Sequence, residues 1–180
     1  MSEPAKKQLT FREYEQLPEG APYQLIGGEL TMTPSPTFLH QKCLASLGNL
    51  LFEFVKDRQL GEVVFAPMDV YFTDTEIYQP DIIFISNERK NIIQDRVKGV
   101  PDLVVEILSP SSAYYDLVQK KRTYEQSGTT EYWIVDPGEK TIEVFENMDG
   151  QFGIFSQARE TGSVKSRLLK EFVVDLRSVF

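Results

Sequence analysis

The sequence predicts an α/β fold, in which a mixed central sheet carries helices on its faces and is extended by antiparallel hairpins. Two segments, 82–85 and 102–108, are almost entirely apolar, as is typical of strands buried on both faces. Residues 38–58 instead place their apolar side chains at helical spacing. Because helical and strand segments alternate along the chain, we expect the helices to pack against the sheet.

The elements of the first half follow from local signals. Thr10 and Glu13 form a capping box that opens a short helix. The pair Gly27-Gly28 accepts the positive φ angles of a two-residue hairpin turn, and Gly61 ends the long helix. The predicted elements are a loose tail at 1–9, a helix at 10–17, strands at 23–26 and 29–32, a helix at 38–58, and strands at 62–66, 69–73 and 82–85.

The second half begins with a polar stretch, 86–99, that is predicted to be a surface loop. Ser111 or Ser112 can cap the next helix, and Gly128 can end it. The predicted elements are a strand at 102–108, a helix at 111–127, a strand at 131–135, a hairpin of 141–146 and 152–155, a strand at 163–169 and a short helix at 175–180.

Composition predicts one domain, 1–180, because 180 residues with 41% hydrophobic content suffice for a single core. No apolar run approaches the roughly 20 residues of a membrane span, and the polar N-terminus lacks a signal peptide's apolar block. Cys43 is the only cysteine, so an internal disulfide is excluded and a cytoplasmic location is predicted.

Net charge narrows the possible partners. The value of −8 argues against a protein that coats nucleic acid through a broad positive field. It remains compatible with a nuclease, because metal-binding carboxylates contribute to the negative total and a local basic patch can hold phosphates.

Three ionisable residues accompany the most buried segments. Asp81 directly precedes one apolar strand, Glu106 lies within the next, and Lys120 lies on the helix that follows. The 25 positions from Asp81 to Glu106 (106 − 81) allow two neighbouring strands, which lie about 4.8 Å apart. Two carboxylates at one level could hold Mg²⁺, and an ammonium nearby could assist hydrolysis of a phosphodiester.

Each of these residues also has a purely structural interpretation. Glu106 could pair with a buried cation, Asp81 could cap a turn, and Lys120 could lie on an exposed stripe with Asp116, four positions earlier. Asp102 shares the face of Glu106 but lies four residues away, about 13 Å along a strand. Asp102 is therefore predicted to mark the strand entry or to support the site from behind its ligands, rather than to share an ion.

The candidate catalytic residues also lie in sequence motifs that resemble those of known protein families. Pro80-Asp81 followed by Glu106-Ile-Leu108 resembles the PD-(D/E)XK nuclease superfamily. Longer stretches, within residues 10–180, resemble the Uma-two family of restriction endonucleases. These stretches are VPDLVVEILSPSS from Val100, Tyr115-Asp116 with Lys120 and Tyr124, EYWIVDP from Glu131, Leu25 to Leu30, Ser35-Pro36 with His40, and Val174 to Leu176.

The resemblance implies a restriction-endonuclease-like fold, a DNA substrate and a homodimer. It implies that Asp81, Glu106 and the backbone carbonyl of Ile107 bind Mg²⁺, or Mn²⁺ in its place, and that Lys120 steadies the water or the phosphate. The residues expected to support these groups are His40, Glu29, Asp116 and Tyr124.

Two positions depart from the patterns. The superfamily lysine stands two residues after the glutamate, where this chain has Leu108. The resemblance to the Uma-two family implies that Lys120 of the following helix takes that part. Gln24 stands where the family more often has glutamate, which would weaken a second ion site. Two alternatives stay open: a catalytically silent nucleic-acid-binding or assembly module, and a structural domain whose three charged residues form a buried ion-pair network.

Overall fold

The computed structural model describes residues 8–109 and 115–180. Most of the predicted tail at 1–9, and the predicted capping serines Ser111 and Ser112, lie outside the described residues. Within the described part, no helix is both long enough and apolar enough to cross a membrane.

The helices and strands follow the predicted order with several additions. The helices are α1 (Phe11–Tyr14), α2 (Phe38–Arg58), a π-helical turn at Tyr115–Lys120 and α3 (Lys121–Ser127), with 3-10 turns at Asn87–Ile92 and Leu176–Ser178. The strands are β1 (Tyr23–Ile26), β2 (Glu29–Met32), β3 (Gly61–Phe65), β4 (Val70–Thr73), β5 (Glu76–Tyr78), β6 (Ile82–Ser86), β7 (Val97–Lys98), β8 (Leu103–Ile107), β9 (Glu131–Asp136), β10 (Thr141–Met148), β11 (Gln151–Arg159), β12 (Ser163–Lys165) and β13 (Val173–Asp175).

A six-stranded sheet forms the centre, in the order β11-β10-β9-β8-β6-β3. It is mixed, because β8 runs antiparallel to β6 and parallel to β9. A five-stranded sheet, β2-β1-β5-β4-β7, and the pair β12-β13 complete the fold. The predicted mixed sheet with antiparallel hairpins is therefore confirmed.

Both faces of the central sheet are buried, as the apolar strands predicted. Ile82 and Phe84 point towards α2, whereas Ile83 and Ile85 point towards the opposite core that includes Tyr124 of α3. This alternation follows from the two-residue period of a strand. It also places Glu106, which follows Val105 of the α2 face, on the face covered by α3.

Some predicted elements are wrong in length or kind. The second sheet was missed because β5 and β7 span only three and two residues, too short for a strand pattern. Helix α1 ends at Tyr14, and turns continue to Leu17. The strand predicted at 163–169 ends at Lys165, and the predicted C-terminal helix is a single 3-10 turn after β13.

The early end of β12 has a specific cause in the buried carboxylate of Glu131, which is 1% exposed. Its Oε1 accepts hydrogen bonds from Trp133 Nε1 and Ser166 Oγ, each at 2.7 Å. Its Oε2 accepts from the backbone N–H groups of Arg167 at 2.6 Å and Leu168 at 3.0 Å. Residues 166–168 therefore turn towards β9 instead of extending the strand.

Replacing Glu131 with alanine is expected to lower the free energy of unfolding by at least about 3 kcal/mol, because four donors lose their acceptor in the core. Urea denaturation of both proteins measures the difference. Glu53→Ala, at an exposed site on α2, is the matched control and should stay within about 0.5 kcal/mol of the wild type. An equally small loss in Glu131→Ala would contradict the role of this carboxylate as a structural acceptor.

Candidate active site

The register of the central sheet brings two carboxylates together. Ile82 of β6 pairs with Val105 of β8, so Asp81, one residue earlier, lies opposite Glu106, one residue later. Residues directly opposite in an antiparallel pair lie on the same face. The two segments are therefore neighbours, as their spacing predicted.

Glu106 is 2% exposed and receives two hydrogen bonds on one oxygen. Lys120 Nζ donates to Glu106 Oε1 at 3.1 Å, and the Tyr124 hydroxyl donates to the same oxygen at 2.5 Å. Both donors come from the helical segment that covers this face of the sheet. The position of Glu106 thus depends on how that segment docks against β8.

Lys120 is buried, so its interpretation as part of an exposed stripe is wrong. The side chains of Lys120 and Asp116 are 5% and 2% exposed, and Lys120 Nζ lies 2.9 Å from Asp116 Oδ1. The π-helical turn presents Asp116 and Lys120 to the sheet, while its Leu117 and Val118 are exposed. One ammonium therefore serves two buried carboxylates.

Asp81 is held by groups from two elements. Its Oδ2 accepts the backbone N–H of Ile107 at 2.7 Å, and its Oδ1 lies 3.2 Å from Nε2 of His40. His40 is the third residue of α2, whose first turn is fixed because Thr37 Oγ1 accepts the His40 N–H at 3.2 Å. The N-terminus of α2 thereby orients one side of the site.

The electrostatics of the group favour an additional positive charge. Burial raises the pKa of Glu106, and the nearby carboxylates of Asp116 and Asp81 raise it further, against the opposing effects of Lys120 and Tyr124. Burial opposes the ammonium of Lys120, yet Glu106 and Asp116 outweigh it and raise the pKa of Lys120. With all three carboxylates ionised, one ammonium would leave a net negative charge in a desolvated site, and the raised pKa of Glu106 is the consequence.

The pKa of His40 is likewise set by burial and by a neighbouring carboxylate, which act in opposite directions. Burial by itself would lower the pKa of its imidazole, but the hydrogen bond and charge of Asp81 outweigh burial and raise it. Nδ1 of His40 is buried and has no hydrogen-bond partner among the described residues. The imidazole therefore faces Asp81 with Nε2.

These residues meet in one cleft of about 290 Å³. Gln24 belongs to the lining, where its Oε1 accepts the backbone N–H of Gln79 at 2.9 Å. Of the described residues, those that line the cleft and carry polar or charged side chains are Gln24, Thr31, Thr33, Ser35, His40, Gln41, Gln79, Asp81, Glu106, Ser109, Tyr115, Asp116 and Lys120. Sequence reasoning missed Gln79, although it stands two residues before Asp81.

Two other acidic residues lie apart from this cleft. Glu29 is exposed at the turn between β1 and β2 and is not part of the lining. Asp102 accepts the Ser86 N–H at 2.7 Å and pairs with Arg89 at 3.1 Å, so it fixes the start of β8 as predicted.

Comparison of the chain with known proteins shows the family to which it belongs. Residues 11–177 match the Uma2 family, described as "Putative restriction endonuclease". This chain belongs to the Uma2 family. No curated protein matches it.

A solved structure supports the fold. A protein from Anabaena variabilis, described as a putative nuclease belonging to DUF820, superimposes with a TM-score of 0.81 at 21% identity. The alignment covers 96% of this chain and 97% of that chain. The restriction-endonuclease-like fold predicted from the sequence is therefore confirmed for this Uma2 protein.

The residues of this Uma2 site fit a divalent cation by chemistry. Among the described residues, no group of three or more histidine, cysteine, aspartate or glutamate side chains is arranged to hold a metal. Asp81 and Glu106 nevertheless lie opposite each other on β6 and β8, and both line the cleft together with Ile107. Oxygen donors completed by water are what Mg²⁺ prefers, and the buried negative charge would be offset by such an ion.

Proposed function

We propose that this Uma2 protein is a divalent-metal-dependent endonuclease that hydrolyses DNA phosphodiester bonds. The observation that supports the proposal is the excess of carboxylate over ammonium at the cleft, where Asp81 and Glu106 lie opposite each other on β6 and β8. A purely structural ion pair would require one carboxylate for one ammonium. Here Lys120 contacts both Glu106 and Asp116, and Asp81 lies alongside.

Asp81, Glu106 and the carbonyl of Ile107 would hold Mg²⁺, with Mn²⁺ as an alternative. When bound, such an ion lowers the pKa of water and offsets charge that develops at phosphorus. The ammonium of Lys120 can then donate to the attacking water or to a phosphate oxygen, because it carries three donors.

The neighbouring side chains keep these groups in position. Asp116 holds Lys120 in the cleft at 2.9 Å, and Tyr124 orients Glu106 through its hydroxyl. His40 orients Asp81 from the start of α2. Such support matters because a misplacement of about 1 Å can reduce the rate of a catalysed reaction 100-fold.

A second candidate is a catalytically silent module with the same fold, serving in nucleic-acid binding or assembly. The observation that favours it is that the cations of residues 86–99 are already neutralised. Their ion pairs are Arg89–Asp102, Lys90–Glu62, Arg96–Asp69 and Lys98–Glu15. These four cations are therefore paired within the protein.

Nicking of DNA separates the two candidates. Purified wild type is incubated with supercoiled plasmid and with single-stranded circular DNA in Mg²⁺, Mn²⁺ or EDTA, beside Asp81→Asn. Asp102→Asn is the matched control, because this buried aspartate belongs to the neighbouring strand entry. The proposal expects metal-dependent cleavage by wild type and Asp102→Asn but not by Asp81→Asn. Absence of cleavage with retained DNA binding would favour the silent module.

Metal binding should tighten as pH rises. Because burial raises the pKa of Glu106, this group keeps a proton at pH values where an ordinary glutamate is ionised, and a metal must displace that proton. Titration calorimetry with Mn²⁺ is expected to show weak binding with release of a proton at about pH 5.5, and tighter binding with little proton release at about pH 8.5.

A variant without the Tyr124 hydroxyl tests the same prediction independently. Its hydrogen bond lowers the pKa of Glu106, so Tyr124→Phe should move the rise in metal affinity to higher pH. Affinities that do not change with pH in either protein would show that Glu106 is not a ligand.

The proposal also includes an oligomeric state and a cellular location. Cutting both strands of DNA requires two sites, which a homodimer of this chain would supply. The single cysteine, Cys43, is buried and unpaired, which supports a reducing compartment such as the cytoplasm.

A further inference from the structure

A second cleft of about 590 Å³ adjoins the candidate active site. Pro67 and Gln79 line both clefts, so the second opens beside the first. Its volume lies within the roughly 300–1,000 Å³ of small-ligand sites. Asp81, Glu106 and Lys120 are not among the residues that line it.

The walls of the second cleft are held in place. The rings of Tyr14 and Tyr71 meet edge to face with their centroids 6.4 Å apart. Asp69 Oδ1 accepts from the Tyr14 hydroxyl at 3.0 Å and from Gln79 Nε2 at 2.9 Å, and Asp69 Oδ2 pairs with Arg96 at 3.4 Å. Gln79 is therefore tied to the second cleft by its side chain and to the first by its backbone bond to Gln24.

The charges along the two clefts are unsuited to a run of phosphates. Among the described lining residues, the first cleft has three carboxylates and the second has four, whereas the permanent cations are Lys120 and Arg96 alone. The four carboxylates of the second cleft are those of Glu15, Glu19, Asp69 and Asp95. Carboxylates accept hydrogen bonds from base N–H groups but repel phosphate oxygens, so bases rather than the backbone would enter here.

We propose that the second cleft receives an unpaired base that flanks the scissile phosphate, so that the substrate is single-stranded or locally unpaired nucleic acid. The inference rests on the proposed nuclease function for the position of the scissile phosphate. Tyr71 lines the cleft, and Lys98 Nζ lies over its ring, 5.4 Å from the centroid, so a base would stack there by displacing this ammonium. Stacking on aromatic side chains is how single strands are held regardless of sequence. A paired base is stacked inside its duplex and cannot reach the cleft.

The test uses a fluorescein-labelled hexadeoxynucleotide whose linkages are methylphosphonates, so that it carries no backbone charge and resists cleavage. Its anisotropy is measured against wild type, Tyr71→Leu and Tyr71→Phe, beside a hairpin duplex of the same chemistry. Phe52→Ala is the control, because this partly exposed aromatic lies on α2 and lines neither cleft. Leucine keeps the apolar volume of position 71 while removing the aromatic face.

Wild type is expected to bind the unpaired hexamer at least tenfold more tightly than the hairpin. Tyr71→Leu should weaken that binding about tenfold, whereas Tyr71→Phe and Phe52→Ala should not change it. Equal binding of hexamer and hairpin by the wild type would overturn the inference whatever the variants do. Capture of an oligolysine peptide in place of the hexamer, with the same dependence on Tyr71, would also overturn it.

Nicking assays distinguish this inference from the function on which it rests. Binding that depends on Tyr71, without cleavage of any DNA, would support the base-binding cleft and refute the nuclease. Cleavage of duplex and single-stranded DNA at equal rates, unaffected by Tyr71→Leu, would support the nuclease and refute the cleft. When both are correct, Tyr71→Leu raises KM for single-stranded DNA and leaves kcat unchanged, because Tyr71 contacts a flanking base and not the reacting group.

Discussion

Replacing Glu106 with glutamine is expected to abolish metal-dependent cleavage while leaving the protein folded. Glutamine keeps the size of the side chain and can still accept from Lys120 and Tyr124, but it lacks the charge that holds a cation. A bound metal contributes several kcal/mol of charge stabilisation, so cleavage should fall at least about a thousandfold. Initial rates of plasmid nicking measure the loss.

The same substitution should not destabilise the protein at neutral pH. Because the pKa of Glu106 is raised in the folded state, its ionisation opposes folding, and stability falls as pH rises from the ordinary glutamate pKa of about 4.3 through the raised value. Glutamine removes this dependence. Thermal unfolding should therefore give Glu106→Gln a Tm equal to the wild type at low pH and equal or higher above it.

Glu53→Gln, an exposed substitution on α2, is the control for both measurements and should match the wild type. Cleavage by Glu106→Gln at the wild-type rate would attribute the activity to a contaminant. Loss of folding would show instead that the carboxylate is needed for structure.

That the segments of Asp81 and Glu106 are neighbours could be predicted, because it depends on features that a sequence displays directly. Two apolar segments signal neighbouring buried strands, and a charge within or before each segment is conspicuous. The Ile82–Val105 register itself could not be predicted, because both strands are buried on both faces and carry no pattern that distinguishes one register from another. The fold class was predictable from the same apolar segments.

The burial of Lys120 could not be predicted, because its local pattern also fits an exposed i, i+4 ion pair with Asp116. Which face of that segment meets the sheet depends on the π-helical turn and on the aromatic contacts of Tyr124 with Tyr78 and Tyr132. These are contacts between distant parts of the chain. The second cleft was missed for a similar reason, since its walls come from α1, β4 and the segment before β7.

Replacing Lys120 with methionine is expected to lower the free energy of unfolding by about 3–5 kcal/mol. Methionine preserves most of the apolar stem, so the loss arises from leaving Glu106 and Asp116 buried without a cation. Urea denaturation at about pH 8 measures it, and the deficit should shrink at about pH 5, where Glu106 takes up a proton because burial raises its pKa. Lys42→Met, on the exposed side of α2, is the control and should change stability by less than about 0.5 kcal/mol.

Metal binding and catalysis should separate in this variant. Lys120 repels a divalent cation near Glu106, so Lys120→Met is expected to bind Mn²⁺ more tightly and to gain more stability from it than the wild type. Cleavage should nevertheless fall at least about 100-fold, the lower range for a positioned proton donor. Weaker Mn²⁺ binding by the variant would contradict the shared site, because it would mean that Lys120 and the metal do not compete for the same carboxylates. The expected result, tight binding with slow cleavage, would show that the ammonium acts on the reacting phosphate and not on the metal.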